Sequence, residues 1–201
     1  MIAGPSEILI VSDGKNDPRS LAADMLSQAE HDKMASAVLV TDSEQLAKTV
    51  AAELENQIPK LERAEIARAS IDGNGKLIVA DSVAAAIEIS NELAPEHLEL
   101  AVEEPFALLD SVINAGSVFL GRFCPEPLGD YYAGTNHVLP TGGTARFSSP
   151  LSVDDFVKKS SFTYYTAEAL AGVRGDIAYF ARAEGLEAHA RSVISRKEAT
   201  E

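Results

Sequence analysis

The sequence predicts an α/β protein with a mostly parallel sheet, helices on both faces of that sheet, and a small α-rich unit at the carboxyl end. Short apolar, β-branched runs alternate with segments of helical periodicity, which is typical of parallel strands buried on both faces. After Leu120 a long segment rich in glycine and proline leads into a helical tail. We therefore divide the chain into an incomplete Rossmann-like domain, residues 1–148, and a tail domain, residues 149–201.

Each predicted strand is a short apolar run that ends in turn residues or a helix cap. The strands are Glu7–Val11, Ala37–Val40, Lys76–Ala80, Leu98–Val102 and Ser117–Leu120. Helical spacing follows most of them, and Asp17 and Pro18 show how such a helix starts, because aspartate caps free amides and proline suits the first position. The helices are predicted from Asp17 to His31, Ser43 to Asn56, Leu61 to Ala69, Val83 to Glu92 and Phe106 to Asn114, with a turn at Asp72–Gly75.

Residues 121–149 lack periodicity, and a loop of that length within a compact protein is usually functional. We interpret this segment as an ordered active-site loop because it contains four aromatic residues and one histidine. Beyond it, Phe156–Thr166 is prone to β structure, and helices are predicted over Ala167–Ala183 and Leu186–Arg196.

Composition excludes several classes of protein. The 201 residues include 31 acidic and 17 basic side chains, a formal net charge of -14, which argues against a nucleic-acid partner because phosphate binding needs a basic face. No apolar run approaches the roughly 20 residues of a membrane span, and the first residues lack the pattern of a signal peptide. Cys124 is the only cysteine, so we expect no internal disulfide and a cytoplasmic location.

Gln28 and His31, near the end of the first predicted helix, are candidate ligands. The apolar stripe of that helix runs through Leu21 and Met25 and nearly includes Gln28. An inward-facing amide is costly to bury without partners. His31 lies on the neighbouring part of the surface, so both side chains can reach one point, although the local sequence alone favours a solvated helix end.

Glu96 and His97 follow Pro95, where a helix gives way to a strand. An adjacent carboxylate and imidazole can divide acid–base chemistry, since imidazole titrates near neutrality and a carboxylate can polarise water. Ligands of doubly wound sheets bind beyond the carboxyl ends of strands, whereas this pair precedes a strand. A cleft between domains would suit the pair, and a polar surface turn is the alternative.

The segment Gly129–Thr141 combines an aspartate, two tyrosines, an asparagine and a histidine within a few residues. That density favours function over a plain turn. Farther along, Glu184 and His189 flank the corner between the two tail helices, where a helix cap with an exposed histidine is the simpler local explanation. Taken together, two histidines, an aspartate and a glutamine suit a nitrogen and oxygen site for zinc or a similar divalent ion.

Five segments, in order, resemble the histidinol dehydrogenase family. They are Ala3–Glu7, Ser27–His31, Ala94–Leu98, Gly129–Thr141 and Glu184–His189. The GTNHVLPT string in the fourth segment is highly specific. The resemblance covers the whole chain and corresponds to the carboxy-terminal portion of the longer chains of that family.

The resemblance implies a zinc-dependent, homodimeric enzyme that oxidises L-histidinol through the aldehyde to L-histidine, with two NAD, as the last step of histidine biosynthesis. Glu96 and His97 would be its acid–base pair, and His137 would have a supporting role. The implied zinc ligands are Gln28, His31, Asp130 and His189. The implied substrate contacts are Ser6, His97 and Glu184 together with those four ligands.

The resemblance also implies that the tail crosses to the partner subunit, so that Glu184 and His189 complete the site of the other protomer. Most NAD contacts of the family lie in the amino-terminal half, and this sequence has no G-x-G-x-x-G motif. We therefore assign no cofactor-binding residues and expect little NAD affinity and no activity from this chain alone.

Two other classes of function remain open. The chain could be a metal- or histidinol-binding module without catalysis, but a binder has no need of Glu96 and His97 as a pair. It could also be a zinc hydrolase that uses a glutamate-activated water. A hydrolase needs an open position on zinc, and four protein ligands plus substrate leave less room for one.

Overall fold

The computed structural model describes residues 4–196. The chain divides into two compact units, Met1–Val157 and Lys158–Glu201. The first unit is built on a sheet, and the second contains two helices with a small core of Ala178, Ala181 and Ala190.

The first unit contains a five-stranded sheet in the order β3-β2-β1-β4-β5. Its strands are β1 (Glu7–Ser12), β2 (Ser36–Thr41), β3 (Lys76–Val79), β4 (His97–Ala101) and β5 (Ser117–Leu120). Every neighbouring pair is parallel. The direction of strand addition reverses at β1, which lies between β2 and β4. All five predicted strands are therefore present, and the prediction of a parallel sheet is confirmed.

Seven α-helices lie within the described residues. They are α1 (Pro18–Ala29), α2 (Glu44–Gln57), α3 (Ala64–Asn74), α4 (Val83–Leu93), α5 (Glu126–Tyr131), α6 (Ala167–Ala183) and α7 (Glu187–Ile194). Side-chain caps begin several of them. Asp17 accepts from the Arg19 amide, Ser43 from Leu46 and Ser82 from Ala85.

Helices cover both faces of the sheet. Ile8, Ile10 and Leu39 point to the face that packs against α1 and α2. Leu9, Val11 and Leu98 point to the opposite face, where they pack against α4. This alternation follows from the period of two along a strand. It confirms the predicted architecture. Most polar residues of the strands lie near the strand ends, and Glu99 in the middle of β4 is an exception.

Three local predictions are wrong. The helix expected over Phe106–Asn114 is replaced by two 3₁₀ turns, because the Asn91 side chain accepts the Ile113 and Asn114 amides. The turn expected at Asp72–Gly75 is instead the last turn of α3, which ends at Gly75. No strand forms over Phe156–Thr166, because Phe156 ends a 3₁₀ helix and residues 157–166 have no regular secondary structure.

Between residues 4 and 196, no helix combines the length and the apolarity that a bilayer span requires.

Candidate active site

Polar side chains converge at the amino edge of the sheet, where β1 and β4 begin side by side. Ile8 of β1 is level with His97 of β4. Helix α1 follows β1 and returns along the sheet, so its last turn, which carries Gln28, reaches the same edge. The first residues of two strands and the last of one helix therefore meet.

The backbone of Glu7 holds both Glu96 and His97. Its N–H donates to Glu96 Oε2 at 3.0 Å, and its carbonyl oxygen lies 2.9 Å from His97 Nδ1. A carbonyl can only accept, so Nδ1 carries the hydrogen and Nε2 of the neutral ring is left as the basic nitrogen. The Glu7 carboxylate in turn accepts from the Gly142 amide at 3.0 Å, which ties the long loop to the same residue.

The chain enters this site through a constrained turn. Ala94, after the last residue of α4, has φ = 51° and is fully buried. Among the described residues it is the one non-glycine with positive φ, a conformation that costs energy for a residue with a Cβ. The Pro95 and Glu96 carbonyls then accept the Gly116 and Ser117 amides. Such strain is typically found where the surrounding structure fixes functional residues.

Burial shifts the pKa values of Glu96 and His97. Burial raises the pKa of Glu96 to about 7, although the Glu7 amide opposes the change. Burial also lowers the pKa of His97, opposed by its hydrogen bond to the Glu7 carbonyl. Near neutral pH, His97 is therefore an uncharged base, and Glu96 exchanges protons readily.

Three buried atoms at this site lack hydrogen-bond partners. One is Nε2 of His97 itself, and the others are Gln28 Oε1 and Glu126 Oε1. His97 Nε2 lies 3.7 Å from Glu126 Oε1. Donor atoms of His97, Glu126 and Asp130 all lie within 4.8 Å of one another. Buried polar atoms are nearly always paired, so unpaired nitrogen and oxygen donors in one cluster indicate that a ligand belongs there. Their chemistry suits zinc.

Helix α5 supplies the two carboxylates of this cluster. Glu126 and Asp130 are four residues apart and so share one face of the helix. Gly129 allows the helix to approach β5, since a Cβ at that position would lie 2.7 Å from the Phe119 ring. Burial raises the pKa of Glu126 to about 7, and the nearby Asp130 carboxylate adds to the shift. The Glu126 carboxyl therefore holds its proton more tightly than an exposed glutamate does.

The other residues predicted for the first unit border this cluster. His31 is exposed in the turn after α1, and its charge contributes to lowering the pKa of His97. His137 Nδ1 lies 2.8 Å from Asp130 Oδ1, and this carboxylate raises the pKa of His137. Ser6 is half-buried directly before β1. Donor atoms of His97 and Asp130 thus lie in one cluster with Glu126, and the Gln28 side chain interacts with Glu126.

Glu184 and His189 belong to the second unit. Both are exposed, and both line an open, largely apolar pocket of about 480 Å³ together with Ile177, Phe180 and Leu186.

Sequence reasoning missed Glu126, which is 2% exposed and lies beside His97. A signal was available. Pro125 and Pro127 are typical of a helix start, and a helix beginning there would have placed Glu126 and Asp130 on one face. Glu7 was also missed, because its role depends on backbone atoms that any residue type offers.

Fold and site together define an α/β protein with a buried acid–base pair and a nitrogen and oxygen donor cluster suited to a divalent metal. The family model for histidinol dehydrogenase matches residues 1–197. The chain belongs to the histidinol dehydrogenase family.

Individual relatives agree with this assignment. The histidinol dehydrogenase of Bacillus cereus is 58% identical over 198 residues, which are 98% of this chain and 46% of that protein. The Bacillus subtilis histidinol dehydrogenase is 57% identical over 197 residues, with the same shares covered. The crystal structure of the Elizabethkingia anophelis enzyme superimposes with a TM-score of 0.89 at 42% identity, covering 98% of this chain and 45% of that one. The chain thus spans about half the length of the relatives it matches.

Proposed function

We propose that this chain supplies the metal-binding and acid–base part of an enzyme that oxidises L-histidinol, through the aldehyde, to L-histidine with two NAD. Membership of the family supports the reaction. One observation carries the proposal for these residues: Nε2 of His97 is buried and has no hydrogen-bond partner. The ring lies beside Glu96 and Glu126, and oxygens of Gln28 and Glu126 are also unpartnered.

The residues fit a zinc ion. Gln28, His31 and Asp130 would hold it from the first unit, and the partner subunit's His189 would complete the set in a homodimer. Gln28 Oε1 is buried with no hydrogen-bond partner, which supports a ligand at that atom. Bound zinc would anchor the amino and imidazole nitrogens of histidinol, a positioning contribution to catalysis.

His97 and Glu96 would move the protons. In the first oxidation, His97 Nε2 would accept the alcohol proton, and NAD, when bound, would supply the hydride acceptor. As Glu96 takes a proton from the water that adds to the aldehyde, His97 would return its proton to the aldehyde oxygen and become neutral again. His97 Nε2 could then accept a hydroxyl proton of the hydrate in the second oxidation. Supporting these roles, His97 Nδ1 is already committed to the Glu7 carbonyl, and the pKa of Glu96 lies near 7.

The substrate would also contact Ser6 and the partner subunit's Glu184. His137 would support the site through Asp130, which its ring contacts. The NAD contacts would lie mostly in the part of the relatives that this chain does not span. We therefore expect the isolated chain to have little NAD affinity.

Metal analysis combined with a histidinol titration tests the proposal. The full chain, and a Lys33→Ala control at an exposed position nearby, should bind one zinc per chain and then histidinol. His31→Ala should lose both, because it removes one of the nitrogen ligands. An apo protein that binds neither zinc nor histidinol would contradict the proposal. Histidinol-dependent NADH formation by the isolated chain would contradict the expected lack of NAD contacts.

A further inference from the structure

Glu99 is a buried carboxylate to which the proposed chemistry gives no role. It lies in the middle of β4, two residues after His97 and therefore on the same face of the sheet. It is 3% exposed. Burying a carboxylate is costly, so its presence among apolar strands requires a structural reason.

No basic side chain among residues 4–196 forms an ion pair with Glu99. Its acidic neighbours are Asp24 on α1 and Glu126 on α5. Burial, with the Asp24 charge, raises the pKa of Glu99 to about 8. The group is therefore largely protonated at neutral pH, which reduces the cost of burying it.

Helix α5 starts without a cap of its own. Its N-cap residue is Pro125, which offers no side-chain hydrogen bond, and Pro127 has no N–H. The buried Glu126 amide would then be unpaired, but Glu99 Oε1 accepts its hydrogen at 2.7 Å. A side chain on a neighbouring strand thus does what an N-cap residue does in other helices.

We propose that Glu99 is a positioning residue that caps α5 from β4 and thereby holds Glu126 and Asp130 opposite His97. His97 and Glu99 are two residues apart on β4, so the strand that carries the base also carries the residue that caps the helix. The helix that carries the carboxylates is therefore set against the strand that carries the base. The part of this inference that concerns zinc rests on the proposed function.

Amide hydrogen exchange in the full chain tests the cap without metal. In Glu99→Ala we expect exchange of the Glu126 amide to rise about tenfold or more, because its acceptor is gone. Glu99→Gln keeps an acceptor oxygen of the same reach and should stay within about twofold of the wild type. Leu100→Val, on the opposite face of β4, controls for loss of stability and should leave the Glu126 amide protected.

Zinc affinity is the second measurement, with zinc alone as the probe. We expect Glu99→Ala to bind zinc about 10–100-fold more weakly, the range seen when supporting groups around a metal site are removed. Glu99→Gln should restore the affinity, and Leu100→Val should not change it. Unchanged Glu126 exchange in Glu99→Ala, or an equal zinc loss in Leu100→Val, would overturn the proposal. Failure of the wild type to bind zinc would overturn the proposed function, whereas the exchange result would still decide the cap.

Discussion

The amino and carboxyl edges of the parallel sheet both carry polar groups, but the contacts of these groups differ. At the amino edge, buried atoms of Gln28, His97 and Glu126 have no partners. At the carboxyl edge, Asp13 follows β1 and accepts from the Arg122 guanidinium at 2.7 Å. Asp13 also accepts the Lys15 and Glu103 amides.

The carboxyl edge is where doubly wound sheets usually bind ligands, at the point where strand order reverses. Here the chain fills that position with its own groups, because Asn16 donates to Ser12 Oγ at 2.7 Å and to the Ala101 carbonyl at 2.6 Å. Burial opposes ionisation of Asp13, but Arg122 and the two amides outweigh it and lower its pKa. At the carboxyl edge most polar groups are therefore paired within the fold, with Arg122 Nε as an unpartnered exception, whereas three unpartnered atoms cluster at the amino edge.

The largest effect should come from removing the free nitrogen at the amino edge. Activity can be measured as NADH formation in a fusion of this chain with the amino-terminal portion of the Bacillus subtilis relative. His97→Asn can still donate to the Glu7 carbonyl but lacks Nε2, so we expect kcat to fall about 10²–10⁴-fold. Asp13→Asn, at the carboxyl edge, should change kcat by less than about threefold. A His97→Asn enzyme with more than a tenth of the original kcat would contradict the assignment of the base.

Substitutions at the carboxyl edge should reduce the free energy of unfolding more than substitutions at the amino edge do. Arg122→Ala leaves the Asp13 carboxylate, 16% exposed, without its cation, and we expect the free energy of unfolding to fall by about 1–3 kcal/mol. Glu126→Gln removes a carboxyl crowded by Asp130 and should cost less than about 1 kcal/mol or be stabilising. Urea titrations followed by circular dichroism would measure both. A larger loss in Glu126→Gln than in Arg122→Ala would show that the amino edge stabilises the fold.

A smaller effect is expected in the pH dependence of the free energy of unfolding. The carboxyl groups of the two edges should contribute to it with opposite signs. The pKa values of Glu96 and Glu126 are raised to about 7, so the folded state binds more protons and stability should fall as pH rises from 5 to 8. The lowered pKa of His97 acts in the opposite direction over part of this range, so we expect a net decrease on the order of 1 kcal/mol, smaller in Glu126→Gln. The pKa of Asp13 is lowered, so its contribution is lost only in acid, as pH falls below about 4. Asp13→Asn should therefore keep the decline from pH 5 to 8, and a stability that rises over that range would contradict the raised values.

The sequence predicted the sheet better than it predicted the connections. Strands such as Glu7–Ser12 and Ser36–Thr41 are apolar on both faces, and that pattern has few other interpretations. The segment Phe106–Asn114 has helical spacing too, but Asn91, distant in sequence, binds its amides. A local pattern contains no information about such a partner.

The same limit applies within the site. Gln28 was a candidate because an inward-facing amide is costly to bury. Glu96 was a candidate because it adjoins His97, and Asp130 because polar and aromatic residues are dense around it, while the family resemblance supplied their roles. Nothing in the sequence predicted a role for Glu99, because a glutamate within a strand is usually interpreted as facing solvent. The fold shows instead that α1 and α5 pack over it.

The contact of Glu7 with the acid–base pair has a consequence for how the site can evolve. Side chains of Glu96 and His97 occupy positions where a regular ladder would place backbone groups of the next strand. Substitution at position 7 leaves those hydrogen bonds available, because every residue except proline offers an N–H and a carbonyl. Sliding β1 by one residue along β4 would instead turn these groups toward β2. Substitutions at position 7 therefore keep the hydrogen bonds to Glu96 and His97 and lose only the carboxylate contact with the Gly142 amide. An insertion or deletion in β1 would displace the base at once.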